Sequence, residues 1–214
     1  MNFEQARARM VESQLLARGI CDTRVLAAMS VVPRHLFVSP ELRRRAYDDS
    51  PLPIDAAQTI SQPYMVGLMS QALELKGFER VLEVGTGSGY QAAILAELAA
   101  AVFSVERIAS LEESARGRLD QLGCGERVHL RAGDGVDGWP EAAPFDAIMV
   151  TAAVQQVPRP LIQQLIVGGS LVLPLGEADL QGLARIRRGA EGLEVDYFGE
   201  CRFVKLIGEY GWEA

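Results

Sequence analysis

Three acidic side chains, Glu83, Glu106 and Asp134, lie where short hydrophobic segments end. Each segment is typical of a buried parallel strand. Because the carboxyl ends of parallel strands meet at one edge of a sheet, we expect the three carboxylates to lie along one rim. Carboxylates repel a phosphate and attract a ligand with an ammonium or sulfonium charge. The pattern therefore predicts a site for a cationic or amine-bearing ligand.

A glycine-rich turn follows the first of these strands. The glycines are Gly85, Gly87 and Gly89, and a helix is predicted over residues 91–98. Glycine permits positive φ and lets a ligand approach the backbone closely. The dinucleotide fingerprint requires glycine at the first, third and sixth positions, but the sixth position here is Tyr90. S-adenosylmethionine therefore fits better than NAD. The turn taken alone leaves a second interpretation open, a tight strand-to-helix connection that binds no ligand.

The other two acids have positions that suit an adenosyl ligand. Glu106 follows the turn by about 20 residues, where a carboxylate accepts hydrogen bonds from the ribose hydroxyls. Asp134 stands between Gly133 and Gly135, where it could meet the adenine amino group. Each acid alone could be a surface charge at a loop. Acids on three successive strand ends favour one common site.

The composition argues against several classes of protein. The chain has 214 residues, a net charge of −7 and a pI near 5.0, whereas nucleic-acid-binding proteins usually carry a basic face. Three widely spaced cysteines and two histidines predict neither a disulfide framework nor a metal site. No apolar run reaches the roughly 18 residues of a membrane span, and the first residues lack the order of a signal peptide. We expect a cytoplasmic protein that binds no nucleic acid, membrane or metal.

Predicted strands and helices alternate beyond residue 80, as a doubly wound sheet requires. Strands are predicted over 81–84, 102–106, 128–132, 145–150, 170–175, 182–188 and 193–197, and helices over 3–18, 23–30, 64–73, 91–98, 108–122 and 161–165. The predicted fold class is α/β, with a doubly wound, mostly parallel sheet and an N-terminal helical cap. We expect one domain over residues 1–214, with the cap at 1–50 and a substrate and cofactor loop at 51–63.

The segment from residue 47 to residue 63 carries three prolines and little regular pattern. A loop of this length in a compact domain is usually functional or disordered, and its apolar content argues against disorder. It leads into a predicted helix, so the polar side chains of Gln58, Thr59 and Ser61 are expected at the mouth of that helix. Ser61 has two interpretations, a helix cap or a hydroxyl that binds a ligand.

Several runs of residues match one known family. The most specific run is Thr59-Ile60-Ser61-Gln62-Pro63-Tyr64-Met65, and the glycine-rich turn is shared with many methyltransferases. Other matching runs are Arg18-Gly19-Ile20, Val32-Pro33-Arg34, Leu52-Pro53-Ile54, Ser104-Val105-Glu106-Arg107-Ile108, Gly133-Asp134-Gly135 and Thr151-Ala152-Ala153. Because these runs are spread over nearly the whole chain, the sequence resembles the protein-L-isoaspartate O-methyltransferase family along most of its length. The resemblance implies a Rossmann-like class I methyltransferase fold, with S-adenosylmethionine as the methyl donor for the free carboxylate of isoaspartyl residues in damaged proteins.

The resemblance also implies roles for individual positions. Ser61 would be the active-site residue that orients the substrate carboxylate. The cofactor would contact Thr59, Ser61, Glu83, Gly85, Gly87, Glu106, Asp134 and Gly135, and the substrate would contact Gln58, Ile60, Ser61 and Lys205. A carboxylate is already a nucleophile at neutral pH, so neither a general base nor a metal is implied. The partners are then isoaspartyl proteins or peptides, and we expect a monomer.

Two departures from the family pattern lie on the substrate side. Asp55-Ala56-Ala57 stands where the family usually has glycines, and Lys205 stands where it usually has proline. If those glycines serve positive φ, this loop must be shaped differently. A lysine near a substrate carboxylate could help binding or change selectivity. Two alternatives therefore remain open, a methyltransferase of the same fold for another carboxylate and a cofactor-binding homologue without turnover.

Overall fold

A computed structural model describes residues 2–208 and 211–212 of the chain. The helices are α1 Phe3–Met10, α2 Thr23–Val31, α3 Pro63–Ala72, α4 Tyr90–Leu98, α5 Ala109–Gln121 and α6 Arg159–Gln164. The strands are β1 Leu52–Pro53, β2 Thr59–Ile60, β3 Arg80–Val84, β4 Ala101–Glu106, β5 Val128–Ala132, β6 Phe145–Val150, β7 Leu165–Gly176, β8 Gln181–Arg188 and β9 Leu193–Cys201. Beyond these elements lie short turns of 3-10 and π helix.

The central sheet has seven strands in the order β5-β4-β3-β6-β7-β8-β9. The strands from β5 to β7 are parallel, and β8 and β9 run antiparallel at one edge. The predicted doubly wound, mostly parallel sheet is therefore confirmed. The strand order reverses between β3 and β6, and in such sheets the crevice at the reversal is where ligands bind.

The strands next to the reversal are buried on both faces. In β3 every residue after Arg80 is buried, and β6 is nearly as enclosed. This explains why both segments read as continuous hydrophobic runs without alternation. The two faces carry separate hydrophobic clusters, one of which joins α3 and α4 to the N-terminal helices. The cap thus shares its core with one face of the sheet.

The N-terminal segment differs from the single helix predicted over residues 3–18. The α-helix α1 passes into a π-helical turn, Val11–Leu15, and then a 3-10 turn that ends at Gly19 with φ 89°. Within the π turn, the Gln14 side chain donates a hydrogen bond to the Tyr47 carbonyl at 2.7 Å. A tertiary contact of this kind has no periodic signal in the sequence, which explains why the prediction was wrong here.

The loop expected to lack regular structure contains a small hairpin. Strands β1 and β2 pair antiparallel, and the backbone N–H of Gln58 donates a hydrogen bond to the Asp55 carbonyl at 3.2 Å. Between them Ala56 and Ala57 both have φ of 55°, as the two central residues of a type I′ turn require. The chain therefore adopts the left-handed conformation here without glycine, and the backbone is strained at both positions.

Replacing either alanine of this turn by glycine should stabilise the fold. Relief of the left-handed strain exceeds the extra entropy of the unfolded chain, so Ala56→Gly and Ala57→Gly should each raise the free energy of unfolding by about 0.5–1 kcal/mol. Urea unfolding monitored by circular dichroism measures the change. Ala8→Gly, at an exposed position inside α1, is the matched control and should destabilise by about 1 kcal/mol. Destabilisation by all three changes would contradict the strain.

Candidate functional site

A cavity of about 370 Å³ lies at the strand reversal. This volume falls within the roughly 300–1,000 Å³ typical of small-molecule sites. The wall is built by the end of the hairpin, the glycine-rich turn, the end of β4, the turn after β5, the residues after β6 and the segment 204–207. Segments that are distant in the sequence therefore converge where the topology predicts a ligand.

The glycine-rich turn is fixed to both neighbouring strands. The Gly85 amide donates to the Val105 carbonyl at 2.8 Å, and the Thr151 hydroxyl lies 2.7 Å from the Gly85 carbonyl oxygen. Gly85 has φ of 97°, and a Cβ atom there would collide with the Thr151 hydroxyl. Glycine is required at this position because backbone conformation and space both exclude a side chain.

Glu106 presents its carboxylate to the cavity at the end of β4. One oxygen accepts a hydrogen bond from the Gly87 amide at 2.8 Å, and the other accepts one from the Ile108 amide at 2.9 Å. The residue is only 7 % exposed, so its orientation is held by the backbone on both sides. A carboxylate has about four acceptor sites, and the remaining ones suit a pair of adjacent hydroxyl groups.

Glu83 lies below the turn and outside the cavity lining. Its side chain is fully buried, and one carboxylate oxygen accepts a hydrogen bond from the Ser104 hydroxyl, which lies 2.6 Å from the Thr86 hydroxyl. The other oxygen has no hydrogen-bond partner among the described residues. Burial raises the pKa of Glu83 to about 8, and the nearby Glu106 charge adds to that rise. Glu83 is therefore mainly protonated at neutral pH.

Asp134 also lies outside the cavity lining. Its carboxylate accepts a hydrogen bond from the Val136 amide at 3.0 Å and caps the short 3-10 turn that follows β5. Gly208 lies against this carboxylate, because a Cβ at Gly208 would come within 2.7 and 2.8 Å of its two oxygens. The neighbouring Gly135 lines the cavity instead.

Ser61 lies in the cavity wall immediately after β2. Helix α3 begins at Pro63, its N-cap residue is Gln62, and no side chain caps it. The interpretation of Ser61 as a helix cap therefore has no support in the structure. The Ser61 carbonyl accepts a hydrogen bond from the Arg34 guanidinium at 2.7 Å, which holds this part of the wall to the N-terminal cap.

Lys205 contributes a positive charge to the same cavity. It is exposed, lines the wall beside Ile207, and pairs through its backbone with Ala153. Its ammonium lies 5.9 Å from the centre of the Trp212 ring. This distance is just within the reach of a cation–π contact.

The structure brings together most of the predicted site residues. The cavity is lined by Gln58, Thr59, Ile60, Ser61, Gly85, Gly87, Glu106, Gly135 and Lys205. Of the three acids expected along one rim, only Glu106 reaches it. Glu83 instead accepts a hydrogen bond from Ser104 on the neighbouring strand, and Asp134 accepts one from Val136 in its own turn. The expectation of three carboxylates in one hollow is corrected accordingly.

Some lining residues were not predicted as site residues. Thr151 follows β6 directly, beside β3, and Tyr90 opens α4. The signal for Thr151 was available, because a polar residue at the end of the strand next to the reversal is placed like the predicted acids. Tyr90 carried no such signal, because an aromatic residue at the start of a helix usually belongs to the core.

The described residues contain neither a membrane-spanning helix nor a cluster of metal ligands. No described helix combines the length and apolar character needed to cross a bilayer. Within residues 2–208 and 211–212, no three His, Cys, Asp or Glu side chains are grouped to hold a metal ion.

Comparison with known proteins gives one consistent result. Residues 5–211 match the family model described as "Protein-L-isoaspartate(D-aspartate) O-methyltransferase (PCMT)". The protein-L-isoaspartate O-methyltransferase of Syntrophus aciditrophicus is 57% identical, over 99% of this chain and 98% of its own length. Protein-L-isoaspartate O-methyltransferase 2 of Geotalea uraniireducens is 58% identical, over 100% of this chain and 99% of its own length. A crystal structure from Plasmodium falciparum, titled as such a methyltransferase in complex with S-adenosyl-L-homocysteine, superposes with a TM-score of 0.82 at 26% identity, over 97% of this chain and 99% of its own.

The buried Glu83 should make stability depend on pH. The native state keeps its proton up to about pH 8, whereas the ordinary pKa is 4.5. Between these values the native state binds one more proton than the unfolded state, so the free energy of unfolding should fall as pH rises, by up to about 1.4 kcal/mol per unit. Glu83→Gln should flatten this slope in urea unfolding, and Glu113→Gln, at an exposed site, should not. Equal slopes in wild type and Glu83→Gln would contradict the assignment.

Proposed function

We propose that this chain, which belongs to the protein-L-isoaspartate(D-aspartate) O-methyltransferase family, transfers the methyl group of S-adenosylmethionine to the free carboxylate of isoaspartyl residues in damaged proteins. The observation that carries the proposal is the shared cavity, in which the segment ending at Ser61 faces the glycine-rich turn and Glu106. A site for the donor and a site for the acceptor thus adjoin each other.

The residues present fit S-adenosylmethionine. Glu106 would accept hydrogen bonds from the ribose hydroxyls, because both its oxygens are held in place and retain acceptor sites. Gly85, Gly87 and Thr59 would line the methionine end, and Gly135 would lie against the adenine. Glu83 and Asp134 would act from behind the lining, Glu83 below the turn and Asp134 by capping the turn that presents Gly135.

The methyl transfer requires the protein to orient the reactants but not to remove a proton. When bound, S-adenosylmethionine supplies an electrophilic methyl group on a sulfonium. The isoaspartyl carboxylate is ionised at neutral pH, so no residue has to remove a proton. Ser61 would donate a hydrogen bond that orients this carboxylate, with Gln58 and Ile60 along the peptide. Alignment of the reactants and exclusion of water by the hairpin then account for the rate enhancement.

Lys205 favours a carboxylate as the acceptor. It adds an exposed cation to the cavity of an acidic chain, where it would attract an anionic group and counteract the repulsion from the net negative charge. The same observation supports the second candidate, a methyltransferase of this fold that acts on another carboxylate. A cofactor-binding homologue without turnover is the third candidate.

Location and assembly remain predictions. The three cysteines are all unpaired, as is usual in a reducing compartment, and we expect the protein in the cytoplasm as a monomer. Size-exclusion chromatography with light scattering measures the assembly state directly.

A paired-peptide assay tests the proposed function. Two peptides of identical sequence, one with isoaspartate and one with normal aspartate, are incubated with S-adenosylmethionine carrying a labelled methyl group. We expect base-labile label on the isoaspartyl peptide alone, because only its α-carboxylate is free. Cofactor binding with methylation of neither peptide would contradict the proposal and favour the second or third candidate.

Two substitutions should separate the donor and acceptor sides. Glu106→Ala should weaken binding of S-adenosylmethionine by roughly 1–3 kcal/mol, because a buried charged acceptor is lost. Ser61→Ala should lower turnover on the isoaspartyl peptide more than it lowers cofactor affinity. Calorimetric titration and steady-state kinetics measure the two effects. Unchanged affinity in the first variant, or unchanged turnover in the second, would remove the corresponding role.

A further inference from the structure

Arg34 is the largest fully buried side chain in the described part of the protein. It lies in a 3-10 turn after α2, and its Nε donates to the Ala46 carbonyl while Nη2 donates to the Ser61 carbonyl, both at 2.7 Å. Its guanidinium carbon is 4.9 Å from the centre of the Tyr90 ring. Ser61 and Tyr90 both line the cavity, so Arg34 lies directly behind its wall.

The charge of Arg34 has no acidic partner. None of the ion pairs among residues 2–208 and 211–212 includes Arg34, and its Nη1 has no hydrogen-bond partner there. Burial lowers the pKa of Arg34 to about 10, so it remains charged at neutral pH. The two carbonyls and the Tyr90 ring offset part of the cost of burying this charge, and an anion nearby would offset more of it.

Arg185 shows the contrasting arrangement in the same chain. It is also buried, but its guanidinium pairs with the carboxylates of Glu74 and Asp196, both at 2.7 Å. It lies outside the cavity lining. The chain therefore neutralises one buried arginine internally and leaves the other unpaired next to the cavity.

We propose that Arg34 is a positioning residue whose buried charge draws the acceptor carboxylate to Ser61, so that the substrate anion is its missing partner. The inference rests on the proposed function, which makes the acceptor an anion. An anion entering this cavity meets the carboxylate of Glu106 and a chain with net charge −7. The buried guanidinium, which donates to the Ser61 carbonyl, acts through low-dielectric protein, where its attraction for an anion is stronger than at the surface.

The side-chain type fits this role. The planar guanidinium spans two carbonyl groups, one in the cap and one in the wall, and a lysine ammonium cannot reproduce that fork. The same contact that fixes the Ser61 backbone therefore also places the charge.

The test compares two ligands that differ only in charge. An isoaspartyl peptide with its free α-carboxylate and its twin with an α-carboxamide are titrated in the presence of S-adenosylhomocysteine, so that no turnover occurs. Wild type should prefer the acid, and Arg34→Met should reduce the ratio of the two affinities by about 10-fold or more. Arg34→Lys keeps a cation but not the guanidinium fork, so its ratio should lie between those of Arg34→Met and wild type. Arg185→Met is the matched control, which should lower the melting temperature and keep the ratio.

A second measurement needs no variant and covers the case in which Arg34→Met does not fold. Attraction by a buried charge is screened less by salt than attraction by a surface charge. In wild type the ratio should therefore stay within about 2-fold between 0.05 and 0.5 M salt. A collapse of the ratio with salt would assign the selectivity to the exposed Lys205 and overturn the proposal.

The outcomes separate this inference from the proposed function. An unchanged ratio in a folded Arg34→Met variant overturns the role of Arg34 and leaves the methyltransferase function intact. A wild type that binds both peptides equally likewise overturns the role of Arg34 alone, whereas a wild type that binds neither peptide overturns both. Loss of cofactor affinity together with an unchanged ratio would mean that Arg34 only supports the fold.

Discussion

The reversal of strand order between β3 and β6 is the constraint on which the site depends. Neighbouring parallel strands whose connections leave in opposite directions open a crevice that no helix covers. The Thr151 hydroxyl closes the bottom of that crevice by its hydrogen bond to the Gly85 carbonyl. With β3 and β6 held together there, the glycine-rich turn can rise above the sheet without a side chain between it and a ligand.

Charge is distributed unevenly around the resulting cavity. Glu106 lies at the end proposed for the donor, and the end proposed for the acceptor has Lys205 in the wall and Arg34 behind it. We therefore expect the cationic methyl donor beside Glu106 and the anionic acceptor beside Lys205 and Arg34. Glu83 does not disturb this arrangement, because burial keeps it mainly protonated at neutral pH.

The sequence predicted the frame of the site better than the directions of its side chains. Short hydrophobic segments, which in β3, β4 and β5 end at or before glycines or acids, identified β3 to β6, and the position of Glu106 followed from its place at a strand end. Glu83 and Asp134 also lie near the ends of strands in the sequence. In the structure, however, Glu83 accepts a hydrogen bond from Ser104, and Asp134 accepts one from Val136. Two-residue strands such as β1 and β2 are too short to show a periodic pattern in the sequence. Long-range side-chain contacts, such as that of Gln14, produce no periodic pattern either. Arg34 was visible only as part of a matching run.

The N-terminal cap is part of the site because a single side chain joins them. Arg34 connects the Ala46 carbonyl of the cap with the Ser61 carbonyl of the wall, and its neighbour Tyr90 begins the helix that follows the glycine-rich turn. Any shift of the cap would therefore move Ser61 relative to the turn. Since methyl transfer depends on alignment of the reactants, the packing of the helices in the cap constrains the reaction geometry even though none of them lines the cavity.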